Sequence, residues 1–168
     1  MKKLILFALL SCQFIHIKAQ QNKLSDQELF EGIKFENVSL GKIMDTNGDL
    51  TLMKNLYGDS LVVKVDTSSP FLAKFISTDK ISFGFEDESE SGNDYNLAFI
   101  VVRSQEISVQ VKDLNVRLGD DKSKFADLLF NQKFNGYIFT DNDTGTTSLS
   151  FELDDKEKVS SIRFIGKY

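Results

Sequence analysis

Regular alternation of apolar and polar residues is the feature that most limits what this chain can fold into. Such alternation is typical of strands that bury one face and leave the other in solvent. The polar segments between the strands, such as 86–94 and 154–158, are short, so they suit antiparallel hairpins and not helical crossovers. The alternating segments are 61–66, 81–86, 107–112 and 149–154, and apolar strands are also expected at 97–102 and 162–165.

Two further segments have helical spacing. In the first, Asp49 can cap the N-terminus and Gly58 can end the helix, with Leu52, Met53 and Leu56 on one face. A second helix is expected over 120–130, where Asp120 or Asp121 is the cap and the apolar face consists of Phe125, Leu128 and Leu129. A capping box at Ser25–Glu28 predicts a short N-terminal helix.

These elements occur in an order that repeats. The sequence NVSLG at 37–41 is matched by NVRLG at 115–119, and ISFGFEDE at 81–88 is matched by LSFELDDK at 149–156. Internal self-similarity is the signature of repeated units, although two unrelated helix-to-strand junctions would produce the same short matches. We therefore predict a single α+β domain of two related units, about 33–104 and 105–168, each a short helix packed on an antiparallel β-meander.

The predicted unit consists of a Leu-Gly turn, a short amphipathic helix that ends near glycine and an antiparallel meander. Used twice, this arrangement resembles the tandem modules of the β-lactamase-inhibitor-protein type. Those modules, and related small bacterial envelope modules, are secreted non-enzymatic proteins that bind other proteins through a sheet face. The resemblance covers most of the chain and implies the same manner of binding here. The inhibitor's cysteines and aromatic contact residues have no counterparts in this sequence, so no binding residue is carried over and inhibition of a β-lactamase is not implied.

The N-terminus has the plan of a secretory signal peptide. Lys2 and Lys3 precede an apolar run, and Ala19 is a small residue at a suitable cleavage point. We expect residues 1–19 to be removed and residues 20–168 to be periplasmic or secreted. The sequence before Cys12 also resembles a lipobox, so a lipid anchor at Cys12 is the alternative.

Cleavage after Ala19 would remove the only histidine, His16, and the only cysteine, Cys12, and the chain has no tryptophan. A Ser–His–Asp triad, a Cys–His pair, a disulfide and a His- or Cys-ligated zinc site are then all excluded. Loss of three lysines would also change the formal charge from −5 to −8. Acidity of this size argues against nucleic acid as a partner. We expect no cofactor.

The segment DTNGD at 45–49 has the oxygen ligands that calcium prefers, in Asp45, Asn47 and Asp49. The rest of an EF-hand loop is missing, because Leu50 occupies the glycine position and Leu56 the bidentate glutamate position. A polar turn in which Asp49 caps the following helix is the competing interpretation.

The chain is rich in phenylalanine, and most of it suits a core that lacks tryptophan. The inward positions of the strands are Phe83, Phe85, Phe99, Phe151 and Phe164, and the less regular stretches carry the candidate partner surface of Pro70, Phe71, Phe75, Phe134 and Phe139. Loops 86–94 and 141–146 are further candidates. The sequence thus favours an exported, non-enzymatic binding protein with a protein partner. A calcium-stabilised structural protein and a carboxylate-dependent hydrolase are the alternatives.

Overall fold

The computed structural model describes residues 22–66, 72–87, 89, 94–141 and 146–166. They form a strand-rich α+β protein, which confirms the predicted class. The helical elements are a π-helical turn (Glu28–Gly32), α1 (Leu40–Met44), α2 (Leu50–Tyr57) and a 3₁₀ turn (Lys122–Phe125). The strands are β1 (Lys23–Leu24), β2 (Lys34–Phe35), β3 (Val38–Ser39), β4 (Val62–Asp66), β5 (Leu72–Ser77), β6 (Ile81–Asp87), β7 (Asn96–Val102), β8 (Val109–Val111), β9 (Leu114–Val116), β10 (Gly136–Asp141), β11 (Ser148–Leu153) and β12 (Val159–Ile165).

Eight strands form one large sheet in the order β1-β10-β11-β12-β7-β6-β5-β4. All its neighbouring strands are antiparallel except β1 and β10. Two meanders, β5–β6–β7 and β10–β11–β12, therefore meet at the centre of the sheet through their last strands. At this junction Ile100 is opposite Phe164, and Val102 is opposite Ile162.

A smaller sheet, in the order β3-β2-β8-β9, joins two tight hairpins through their first strands. The turn of the first hairpin has two residues with positive φ, Glu36 at 52° and Asn37 at 69°. That pair of angles is characteristic of the type I′ turn, which matches the twist of the flanking strands. Lys112, at φ 52°, begins the turn of the second hairpin.

The core lies against the inner face of the large sheet, the face that carries Phe83 and Phe151. At the end of α2, Tyr57 packs on Phe83 with the ring centroids 4.9 Å apart. In the other half of the sheet, Phe125 of the 3₁₀ turn stacks on Tyr137 at 4.3 Å and contacts Phe151 at 5.3 Å. The helical turns thus cover the sheet from one side, and the aromatic residues fill the space between them.

Three local predictions are confirmed. Asp49 caps α2, because its carboxylate accepts a 2.8 Å hydrogen bond from the Leu52 amide, and Gly58 ends the helix at φ 88°. The capping box is present, since the Ser25 amide donates to Glu28 at 2.8 Å. One detail of α2 differs from expectation, because Met53 is buried whereas Leu52 is 47% exposed.

The predicted helix over 120–130 is wrong, because only the 3₁₀ turn Lys122–Phe125 forms there, capped by Asp121. A short helix is stable when tertiary packing buries its apolar face. Here the single turn already delivers Phe125 to the core, and Leu129 stays 40% exposed. The segment therefore gains nothing by continuing as an α-helix.

The two matching pentapeptides do not have the same local structure. Asn37 lies in a left-handed turn, whereas Asn115 lies within β9. Gly41 is part of α1, whereas Gly119 has φ 86° in a turn. The echo between NVSLG and NVRLG therefore does not mark equivalent positions.

Candidate functional site

The outer face of the large sheet carries side chains that remain wholly or partly accessible. Residues directly opposite each other in a sheet point to the same face, and Phe75, Gly84, Phe99 and Ile165 lie opposite one another in four successive strands. Phe75 and Phe99 are half-buried, and Ile165 is 46% exposed. Because Ile165 is on a central strand and not at an edge, this exposure marks a surface without a covering layer among the described residues.

A depression of about 460 Å³ lies on this face. We call it the outer-face depression, and it is lined by Glu86, Ala98, Phe99, Val101, Arg163, Phe164, Ile165 and Gly166. Its shape depends on Gly84, because a Cβ atom there would lie 2.3 Å from Cε1 of Phe99. The missing side chain lets the Phe99 ring lie across β6, where it also contacts Phe75 at a centroid distance of 6.0 Å.

Three strands that run in the same direction, β4, β6 and β10, end at one edge of the sheet. Their last residues are Asp66, Asp87 and Asp141. The predicted partner segments around Pro70 and in 86–94 and 141–146 follow these three strands in the sequence. All three segments therefore begin at the same edge. The outer-face depression is close to this edge, since Glu86 and Ile165 lie at the ends of their strands. We call this edge the loop edge.

Two buried carboxylates support the loop edge, and the sequence patterns do not single them out. Asp87 is fully buried and accepts hydrogen bonds from the amide and hydroxyl of Ser89, at 2.8 and 2.5 Å. Asp141 is nearly buried and accepts from the Thr147 amide at 2.9 Å. A buried carboxylate that accepts backbone N–H groups fixes the chain around it. In the sequence, the feature that could identify these two residues is their position at the end of an apolar strand, just before a polar loop.

Asp87 and Asp141 are too far apart to act together on one bond. They lie on β6 and β10, which are separated by three strands. At about 4.8 Å per strand, the two carboxylates are roughly 19 Å apart. The paired carboxyl groups of glycoside hydrolases are about 5–9.5 Å apart. This pair of buried acids therefore does not have the geometry of a hydrolase site.

The predicted partner-surface residues do not lie on one common surface. Pro70 and Phe71 lie outside the described residues, whereas Phe75 lies on the outer face beside Phe99 as described above. Phe134 is half-buried in the turn before β10, at the edge opposite the loop edge. Phe139 is wrong as a surface residue, because β10 directs it to the inner face, where it is fully buried and meets Phe151 edge-on at 6.0 Å.

Phe99 was expected in the core, and its place on the outer face is a second correction. The register of β6 and β7 shifts between Gly84 and Phe85. This irregularity lets Leu97 and Ile100 both face inward while Phe99 faces outward. Sequence reasoning also missed the exposed Arg163 and Ile165, although they alternate in β12 with the buried Ile162 and Phe164 and so lie on the opposite face.

The calcium hypothesis rests on Asp45, Asn47 and Asp49. Asn47 and Gly48 form the turn between α1 and α2 with φ angles of 46° and 67°, and the Asp49 carboxylate caps α2. Capping alone thus accounts for an aspartate at position 49, directly before α2. Across the described residues, no three His, Cys, Asp or Glu side chains are grouped so as to hold a metal ion.

We expect Asp49→Ala to lower the free energy of unfolding by about 1 kcal/mol, because the Leu52 amide loses its acceptor. Urea unfolding measures the change, and Asp45→Ala is the matched control, since Asp45 is exposed and lies at the other end of the same turn. Repeating both with millimolar calcium and with chelator tests metal binding. A calcium-dependent rise in melting temperature that Asp49→Ala abolishes would contradict the purely structural role of this carboxylate.

Three described groups with altered pKa values, Glu28, Tyr57 and Asp121, are not among the residues that line the outer-face depression. Hydrogen bonds from the amide and hydroxyl of Ser123, together with Lys158, lower the pKa of Asp121 to about 2. The Ser25 amide likewise lowers the pKa of Glu28. Burial raises the pKa of Tyr57, whose hydroxyl donates to the Phe35 carbonyl oxygen at 3.2 Å. These three shifts follow from hydrogen bonds at caps or from core packing, so the three groups serve the fold.

Within the described part of the chain, no helix has the length and apolar character needed to cross a bilayer. Comparison with protein-family models, with curated proteins and with solved structures found no match.

Proposed function

We propose that the protein is an exported, non-enzymatic binding protein of the bacterial envelope, and that its partner is another protein. The observation that carries the proposal is the apolar outer-face depression next to the loop edge. Contacts would come from the rings of Phe75 and Phe99, from the aliphatic side chain of Ile165, and from the loops that leave the adjacent edge.

The chemistry of the depression favours a protein partner over a small polar metabolite. Its lining is mostly apolar and includes Phe99, Val101 and Ile165, together with the charged Arg163 and Glu86. Protein interfaces combine aromatic and arginine anchors with a polar rim in this way. Isolated apolar residues on a surface need no explanation, but a contiguous group on a central part of a sheet points to an interaction surface.

Export is proposed from the sequence, on the signal-peptide pattern of residues 1–19 with a periplasmic or secreted destination. The lipid anchor at Cys12 remains the alternative. The two differ in the mature N-terminus, which mass spectrometry of the exported protein identifies as Gln20 or as a lipidated Cys12.

The relation between residues 33–104 and 105–168 is also a proposal, supported by the registers at the centre of the large sheet. Phe83 is opposite Ile100 in the first meander, and Phe151 is opposite Ile162 in the second. A twofold axis between β7 and β12 would superpose Phe83 on Phe151 and Ile100 on Ile162. The same axis would exchange the two pairs at the junction, Ile100–Phe164 and Val102–Ile162. The aligned Ser-Phe positions of the two sequence segments thus occupy equivalent places beside the central strands, which supports a duplicated meander more than the pentapeptides do.

The experiment compares capture of envelope proteins by the exported chain and by two exposed-site variants. We expect Arg163→Glu and Ile165→Asp to reduce capture of the partner about tenfold, because interface anchors carry most of the binding energy. Leu52→Asp is the matched control, since Leu52 is as exposed as Ile165 but lies on α2, away from the outer face. Quantitative mass spectrometry measures the captured protein, and circular dichroism checks that each variant is folded.

Equal capture by all four proteins would contradict the proposed surface. A folded bait that retains no protein above a tag-only control would contradict the binding role itself and would favour the calcium-stabilised structural alternative. Hydrolysis of a glycan by the exported chain would favour the carboxylate-dependent alternative.

A further inference from the structure

Among the described residues, β4 is an edge strand of the large sheet. It pairs with β5 on one side, and the strand order ends there. Its valines are strongly exposed, with Val62 at 64%, Val63 at 43% and Val65 at 50%. Proteins usually protect such edges with proline, bulges or several charges, because the free backbone N–H and C=O groups can pair with another strand. Here the regular five-residue strand carries two charged residues of opposite sign, Lys64 and Asp66.

The register between β4 and β5 shows which side chains share a face. Lys64 is opposite Phe75, so Lys64 belongs to the outer face, and Val62 and Asp66 belong there with it. Val63 is opposite Ile76 and lies on the inner face, and Val65 shares that face. Val63 and Val65 remain exposed because the core does not extend to the edge of the sheet.

Antiparallel pairing of β4 with the same strand of a second molecule restricts the possible registers. The two copies are related by a twofold axis perpendicular to the sheet, which keeps each side chain on its own face. Opposite residues must therefore share a face, and the axis passes between the two copies of one central residue. Centring on Lys64 would oppose two lysines, and centring on Asp66 would oppose two aspartates, and both arrangements are destabilising.

Centring on Val65 resolves both conflicts. Lys64 of each copy is then opposite Asp66 of the other copy, which forms two cross-strand pairs of opposite charge on the outer face. The two Val65 side chains meet on the inner face. Centring on Val63 would instead place Lys64 opposite Val62, without a charge partner. The sequence of the strand is thus self-complementary in one register.

We propose that β4 is a homodimerisation site, where two copies of this chain pair antiparallel through β4 about Val65 and join their large sheets into one. The charge complementarity of Lys64 and Asp66 in that register identifies the partner as a second copy of this chain. The proposal is independent of the proposed function, because β5 and β6 lie between β4 and β7 and the pairing leaves the outer-face depression open.

A single-cysteine series tests the register directly. The variants are made in residues 20–168, which contain no cysteine, so that the added cysteine is the only one. In the proposed dimer the two residues at position 65 have Cα atoms about 4.5–5.5 Å apart, within disulfide reach. Residues at position 63 are offset by four positions, or roughly 13 Å. We expect Val65→Cys to form a disulfide-linked dimer about tenfold faster than Val63→Cys or the surface control Leu52→Cys.

Charge exchange tests the same pairing without a covalent bond. Sedimentation of the exported chain from about 10 µM to about 1 mM is expected to show a monomer–dimer equilibrium. Lys64→Asp is expected to weaken the dimer about tenfold, because it opposes two acidic groups, and Lys64→Asp with Asp66→Lys is expected to restore it. If the double variant fails to fold, the cysteine series decides, since it leaves Asp66 intact.

Three results would overturn the proposal. One is a monomer at all concentrations. Another is a disulfide that forms equally fast at positions 63 and 65, and the third is a dimer that persists unchanged in Lys64→Asp.

Discussion

Phe151→Ala is expected to lower the free energy of unfolding by about 3–5 kcal/mol, the largest effect of any single substitution considered for this protein. Phe151 is fully buried in β11 and contacts both Phe125 and Phe139. Its removal leaves a cavity where the 3₁₀ turn meets the large sheet, and the rigid strands around it can close it only in part. Since domains of this size are stable by about 5–15 kcal/mol, we expect the variant to retain little of its stability.

Urea unfolding followed by circular dichroism measures this change, with Phe151→Leu as the conservative variant and Leu129→Ala as the matched control. Leu129 is 40% exposed and lies on the segment that failed to form a helix, so its truncation is expected to change the free energy by less than about 0.5 kcal/mol. A loss below 1 kcal/mol in Phe151→Ala would contradict the packing of the 3₁₀ turn on β11.

Gly136→Ala is expected to be the second most harmful substitution, with a loss of about 3 kcal/mol. A Cβ atom at this position would lie 2.1 Å from the carbonyl oxygen of Phe151 and 3.0 Å from the Cα atom of Glu152. Both obstacles are backbone atoms of β11, so relief requires the strands β10 and β11 to separate. The expected result is a lower urea midpoint together with faster hydrogen exchange of the amides between these two strands.

The control for this prediction is Gly32→Ala. The nearest atom to a Cβ at Gly32 is Cβ of Glu28 at 3.8 Å, an ordinary contact. Its effect is expected to stay within about 0.5 kcal/mol. Equal effects of the two substitutions would show that the loss at Gly136 reflects the general cost of replacing glycine and not the close approach of β11.

The candidate site was predictable only in part, for reasons visible in individual residues. The polar loops were identifiable from composition, but their common origin at the loop edge depends on the strand order. Phe75 was identified by its irregular surroundings and lies on the outer face. Phe139 was misjudged because it follows a loop-like stretch, although β10 directs it inward. The buried Asp87 and Asp141 were overlooked because an acidic residue near a polar loop usually reaches solvent.

The sequence by itself determined the local structure. The alternation did not predict β5 or β10. It specified β4, β6, β8 and β11, while Asp49 and Gly58 specified both ends of α2, and Ser25 with Glu28 specified the first turn. These features depend on residues a few positions apart, whose interactions are the same wherever the segment lies. The expected strand at 107–112 is also present, although it is limited to Val109–Val111.

Only the tertiary structure determined which strands pair with each other and which side chains are buried. It placed β7 beside β12, turned Phe99 outward through a register shift, stopped the segment after Asp121 at one 3₁₀ turn, and left Val63 and Val65 exposed at the edge of the sheet. The physical reason is that burial depends on neighbours distant in sequence. An apolar side chain in a strand is buried only where another layer covers it, and the pattern of one strand carries no information about that layer.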